Sequence, residues 1–100
     1  MSQKEKAMDT YKMADEFIDL ANRMLTAEGK ELEDVGAAIR YAAARFSSHE
    51  VAYRSSDLAA EKKDAVDWYT SHFNEMLNEN FDQHIEHIAA EKEKTAAENH

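Results

Sequence analysis

The chain has 100 residues, of which 43% are hydrophobic and 33% are charged, and it contains neither proline nor cysteine. This length allows one small domain, the composition is that of a folded globular protein, and the lack of cysteine excludes disulfides, thiolate metal sites and cysteine nucleophiles. The net charge of −9 opposes binding to phosphate backbones and to anionic lipid surfaces, so neither nucleic acid nor a membrane is an expected partner.

Apolar residues recur every three or four positions from Thr10 to Glu28, which predicts a strongly amphipathic first helix. This apolar stripe consists of Tyr11, Ala14, Phe17, Ile18, Ala21, Met24 and Leu25. Gly29 follows the stripe, where a left-handed backbone conformation would end the helix without a Cβ clash. We therefore predict a break at residues 29 to 31.

A second helix is predicted to begin near Glu33 and Asp34, whose charges complement the helix N-terminus, and to continue to Val51 or Tyr53. Its apolar stripe contains Val35, Ile39, Ala42 and Phe46. The opposite side, which we call the alanine-rich face, consists of Ala37, Tyr41, Ala44 and Ser48. Small uncharged side chains there would allow another helix to approach closely.

A third helix is predicted after Ser55, Ser56 and Asp57, whose side-chain oxygens suit a turn and an N-cap. Its stripe contains Leu58, Val66, Tyr69, Phe73, Met76 and Leu77, whereas Phe81, Ile85 and Ile88 drift around the helix. Asn80 and Gln83 have the spacing of a capping box. Two interpretations stay open: one long or kinked last helix, or a fourth helix after a break near Asn78 to Asn80.

These elements predict an all-α fold, a small three- or four-helix bundle. One helical domain is expected over residues 10–90, and the polar segments 1–9 and 91–100 are expected to fray. The predicted core is Phe17, Ile39, Phe46, Tyr69 and Phe73. If Phe46 is fully buried, Phe46→Ala should lower the free energy of unfolding by about 3–5 kcal/mol.

The expected compartment is the cytoplasm. Residues 1–6 lack the apolar segment of a secretory signal, and no run approaches the ~18–20 apolar residues of a membrane span.

His84 and His87 lie three positions apart, and Glu91 lies one turn further along the same side of the predicted helix. Histidine and carboxylate at this spacing can bind zinc or iron. Metal centres in bundles use Glu-x-x-His motifs from more than one helix, and the chain has no such motif. Solvated histidines on a terminal helix are therefore the favoured interpretation, and a metal site is the alternative.

Two arginines and two aromatic residues are candidates for an interface. Neither Arg40 nor Arg45 has an acidic residue three or four positions away, so we expect each to pair with an acid of another helix or subunit, with anion binding as the minor alternative. Trp68 lies on the polar side of the third helix, where it is either an interface anchor or covered within one chain. Tyr41 is its natural companion in an interface.

The segments Ala14 to Asn22, Tyr41 to Phe46, Trp68 to Tyr69 and Phe73 to Asn80 resemble a proteobacterial family of small helical proteins of unknown function, domain of unknown function 3144. The resemblance covers roughly residues 10–88. It implies a bacterial, cytoplasmic, all-α protein, and it implies no activity and no catalytic residue.

The chain has no nucleophile elbow, phosphate-binding glycine loop or dinucleotide fingerprint, so we expect no enzyme and no cofactor. The leading hypothesis is an interaction protein that forms a homo-oligomer, a dimer, through the alanine-rich face, with an unidentified second protein as a further possible partner. The alternative is a metal-binding helical bundle that uses His84, His87 and nearby carboxylates. A small-molecule binder has only the abundant Met and Tyr residues in its favour, and these are more often core.

Overall fold

The computed structural model describes residues 2–99. They form three helices, α1 (Gln3–Thr26), α2 (Leu32–Arg54) and α3 (Leu58–Glu98), and residues 2–99 contain no strand. The all-α fold class is confirmed: the chain is a small helical protein with three helices and a long last one. Met1 and His100, the outermost residues of the termini predicted to fray, lie outside the described residues.

Local hydrogen bonds explain where α1 begins and ends. The Ser2 side chain caps its start by accepting from the Glu5 amide at 3.2 Å. At its end Gly29 has a φ of 64°, and the Lys30 amide donates to the Met24 carbonyl oxygen at 3.0 Å. The predicted break at residues 29 to 31 and the left-handed Gly29 are confirmed.

The turn between α2 and α3 is also confirmed. The Ser55 hydroxyl accepts from the Asp57 amide at 3.1 Å, which shapes the turn. The Asp57 carboxylate then accepts from the Ala60 amide at 3.2 Å. This bond satisfies one of the amides that a helix N-terminus leaves without an intrahelical partner.

The long last helix is continuous through residues 78–80, so the capping-box interpretation of Asn80 and Gln83 was wrong. Asn80 Nδ2 donates to the Met76 carbonyl oxygen at 2.8 Å, and Asn78 Nδ2 donates to the Asn74 carbonyl oxygen at 2.9 Å. Both side chains therefore bond one turn back along the helix instead of capping a new one. Fraying at the chain ends stays a prediction.

The chain divides into two compact units, Met1–Glu50 and Val51–His100. The first unit contains α1 and most of α2, and the second contains the end of α2 and all of α3. Neither of these bounds tests the single domain predicted over residues 10–90, which stays a prediction.

Burial is sparse in both units. Among residues 2–99 only Val35 is buried, and it is still 7% exposed. The half-buried residues of the first unit include Ala21, Met24, Leu25 and Gly36, which lie near the loop between α1 and α2. Packing in this unit is therefore concentrated beside its loop.

The predicted core was wrong for the single chain. Phe17 and Phe46 are 66% and 64% exposed, Ile39 and Phe73 are exposed as well, and only Tyr69 is partly covered. The helical periodicity correctly marked these residues as apolar stripes. Periodicity does not say what covers a stripe, and here each unit leaves most of its stripes open to solvent.

Candidate interaction surface

The alanine-rich face lies on α2 within the first unit and is open to solvent along its whole length. Tyr41 is 68% exposed, and Ala37, Ala44 and Ser48 are exposed. The Ser48 hydroxyl donates to the Arg45 carbonyl oxygen at 2.8 Å, so the one serine of this face is already hydrogen-bonded within its own helix. The face therefore presents three small uncharged side chains and one exposed aromatic ring to solvent.

Arg40 and Arg45 lie on either side of this face and are both exposed. Within residues 2–99 neither of them makes an ion pair. The predicted pairing with an acid of another helix is therefore not found inside the described chain. Pairing with an acid of another subunit stays a prediction.

The other side of α2 is open too. The Phe46 ring lies 6.0 Å from the His49 ring, centroid to centroid. A shallow depression that is open to solvent runs beside them along the helix, lined by Ala42, Arg45, Phe46, Ser48 and His49. Because all these residues belong to one helix, the depression is a feature of the helix surface and not an enclosed cavity.

Trp68 lies on α3 in the second unit and is 59% exposed. Its ring meets Tyr69 edge to face and lies against His72 at a tilt, both at centroid distances of 4.9 Å. These contacts within one helix fix the orientation of the indole without covering it. Of the two interpretations of Trp68, coverage within one chain is not found, and its role as an interface anchor stays a prediction.

Sequence reasoning noted the apolar residues of the second half of α3 but assigned them to no interaction surface. Phe81, Ile85 and Ile88 are large, apolar and exposed, and together with Val66, Phe73 and Leu77 they follow one continuous helix. At 3.6 residues per turn Phe81 and Ile85 drift gradually away from the first part of the stripe. The repeated spacing of four residues from Leu77 through Phe81 to Ile85 is the signal that connects them to it.

The proposed metal ligands do not form a site. His84, His87 and Glu91 all lie on α3 and are exposed. Residues 2–99 contain no group of three or more histidine, aspartate or glutamate side chains placed to hold a metal ion. A single helix face offers too few ligands for a closed zinc or iron site, so no observation favours the metal-binding alternative.

The chain belongs to the family described as "Protein of unknown function (DUF3144)", whose model matches residues 10–85. No curated protein and no solved structure gives a significant match. The family resemblance inferred from the sequence is confirmed, and the bacterial origin stays a prediction. Within residues 2–99 none of the helices combines the length and apolar character needed to cross a bilayer.

Proposed function

We propose that this chain is a non-enzymatic, cytoplasmic interaction protein that self-associates, and that the alanine-rich face of α2 is its contact surface. The observation that carries the proposal is the exposure of this face: Tyr41 is 68% exposed beside Ala37, Ala44 and Ser48. Small side chains allow close approach of a second helix, and the tyrosine supplies the large, rigid ring that anchors interfaces.

The apolar surface outside this face supports the same proposal. Large side chains such as Phe17 and Phe46 are exposed at helical spacing on α1 and α2. Exposed apolar residues scattered singly are normal, but contiguous apolar stripes on a soluble protein mark surfaces that bind a partner. A homo-oligomer would cover such stripes without needing any other protein.

Charge favours the alanine-rich face over the other surfaces. Each copy carries a net charge of −9, so two copies repel one another over most of their surfaces. Between Asp34 and His49 the only charged residues are Arg40 and Arg45. A contact there avoids acid against acid, and it offers two guanidinium groups, unpaired within residues 2–99, to carboxylates of the second copy.

The substitution Ala44→Glu tests the proposal, because it places a carboxylate in the middle of the face. We expect the wild-type chain to sediment as a homo-oligomer and the variant to shift toward monomer, with an unchanged helical circular dichroism spectrum. Ala90→Glu is the matched control, since Ala90 is an exposed alanine of α3 far from this face in the sequence. A monomeric wild type, or an Ala44→Glu variant with the mass of the wild-type oligomer, would contradict the proposal.

A further inference from the structure

Seven apolar residues of α3 are spaced symmetrically about Leu77. They are Val66, Tyr69, Phe73, Leu77, Phe81, Ile85 and Ile88, with successive separations of 3, 4, 4, 4, 4 and 3 residues. Three further large apolar residues, Leu58, Trp68 and Met76, are exposed on α3 as well and lie outside this pattern. The strip reads the same from either end of the helix. We call these seven residues the α3 strip.

The α3 strip runs along one side of the helix with a gradual drift. Val66 and Ile88 each lie 11 residues from Leu77. At 3.6 residues per turn the seven residues stay within an arc of about 160° along about six turns. It is about 33 Å long at 1.5 Å per residue.

All but one of these side chains are open to solvent. Tyr69 is half-buried, and the other six are between 43% and 60% exposed. At roughly 80–100 Å² of exposed apolar area each, they provide about 500–600 Å² per copy. Two copies would bury about 1,000–1,200 Å², which together with the flanking polar residues reaches the lower range of specific interfaces, about 1,200–2,000 Å².

We propose that α3 pairs with α3 of a second copy of this chain, antiparallel, with the two-fold axis at Leu77. A two-fold interface requires that when residue i contacts residue j of the second copy, residue j contacts residue i of that copy. The mirrored spacing meets this requirement. Leu77 faces Leu77 of the second copy, and in the same way Phe73 faces Phe81, Tyr69 faces Ile85, and Val66 faces Ile88 across the contact. A parallel pair would need no such mirror symmetry.

Two pairs of polar residues near the strip have the same symmetry. Asn74 mirrors Asn80, and Thr70 mirrors His84, whereas Met76 mirrors Asn78. At the two ends Lys62 of one copy would lie beside Lys92 of the other. Repulsion between these ammonium groups opposes extension of the contact beyond Val66 and Ile88.

This pairing rests on the proposed self-association and adds a second contact, between the two copies of α3, to the contact proposed through α2. Single cysteines test it in the full chain, because the chain has none of its own. With helix axes about 8–10 Å apart, the two copies of residue 77 would have their Cα atoms about 5 Å apart, within the range that a disulfide bridges. In the same antiparallel pair, residue 66 of one copy would lie about 33 Å from residue 66 of the other.

We expect Leu77→Cys to form a disulfide-linked dimer under mild oxidation and Val66→Cys alone to stay unlinked. A co-refolded mixture of Val66→Cys and Ile88→Cys should form a mixed dimer. Ala90→Cys is the control and should stay unlinked, because residue 90 lies on the opposite side of α3 from the strip. Circular dichroism establishes that each variant keeps its helices.

The sedimented mass of the wild-type chain and the cross-linking of Leu77→Cys together separate the two proposals. A monomeric wild type would overturn both the proposed function and this pairing. If the wild type is oligomeric and Leu77→Cys stays unlinked, the α3–α3 pairing alone is overturned. The α3 strip would then contact some other helix of the oligomer. Linking of all three single variants, at residues 66, 77 and 88, would show a parallel pair and would also overturn the antiparallel arrangement.

Discussion

The guanidinium group of Arg40 lies over Gly36, one turn earlier in α2: a Cβ atom at Gly36 would be 3.3 Å from Nη1 of Arg40. Helical side chains lean toward the N-terminus of their own helix, so a long side chain covers the residue four positions before it. Gly36 thus leaves room for the guanidinium in a helix interior, where glycine is otherwise unfavourable.

This relationship predicts that Gly36→Ala stabilises the chain. The only atoms near the new methyl group belong to the flexible end of Arg40, whose side chain is exposed and can move aside. We expect urea denaturation to show a free energy of unfolding about 0.5–1 kcal/mol higher, the usual gain for alanine over glycine in a helix interior. If Gly36→Ala gives the same gain in the wild-type chain and in an Arg40→Ala variant, the Arg40 guanidinium does not oppose a methyl group at residue 36. If Gly36→Ala lowers stability only when Arg40 is present, the guanidinium does oppose it.

Gly29→Ala should have the opposite effect. Gly29 has a φ of 64°, and a side chain in the left-handed region costs about 1–2 kcal/mol because its Cβ crowds the backbone. Nothing lies within 4 Å of a Cβ atom built there, so the loss comes from the backbone and not from a clash. Gly29→Asn is the control, because asparagine tolerates this conformation better. Equal melting temperatures for the two variants would contradict this explanation.

Asp57→Ala should lower the free energy of unfolding by about 1 kcal/mol. The Asp57 carboxylate accepts from the Ala60 amide, and removing an N-cap leaves that amide without its partner. Asp57→Asn should retain most of the stability, since an amide oxygen caps nearly as well. Thermal denaturation of the two variants makes the comparison, and an Asp57→Ala variant as stable as the wild type would show that the cap contributes nothing.

Phe46→Ala should cost less stability than Val35→Ala, although phenylalanine is the larger side chain. Phe46 is 64% exposed, whereas Val35 is only 7% exposed. At concentrations where the chain is monomeric, we expect Phe46→Ala to cost about 1 kcal/mol or less and Val35→Ala to cost about 2 kcal/mol. Denaturation of both variants at low concentration measures the difference. A monomer in which Phe46→Ala costs 3–5 kcal/mol would show that the ring is buried.

The interface candidates on α2 could be predicted because their signal is local. The absence of acids around Tyr41 and Ala44 is visible in the sequence, and so is the lack of partners for Arg40 within its own helix. The second half of α3 could not be read in the same way. Phe81 and Ile85 continue from Leu77 at steps of four residues, and because four residues turn a helix by about 400°, each lies about 40° further around α3 than the one before.

The sequence by itself determined an all-α fold and the positions of its two loops. It placed the start of the first helix near Thr10, whereas α1 begins at Gln3, and it did not decide between one last helix and two. Gly29 and Asp57 act on backbone groups a few residues away, and apolar periodicity follows from helix geometry alone, so both can be read without knowing the rest of the fold. The side chains of Asn78 and Asn80 were the exception. An asparagine side chain can either cap a new helix or donate to a carbonyl oxygen of the preceding turn. The same residues allow both arrangements, so the sequence does not decide between them.

Only the tertiary structure decided which apolar residues are covered. Val35 and Phe46 belong to the same predicted stripe of α2, yet the structure buries the first and exposes the second. Burial depends on residues distant in sequence, and a stripe looks identical whether its own chain or a second copy covers it. The sequence therefore determined where the apolar surfaces lie, and the tertiary structure decided that the single chain leaves most of them open.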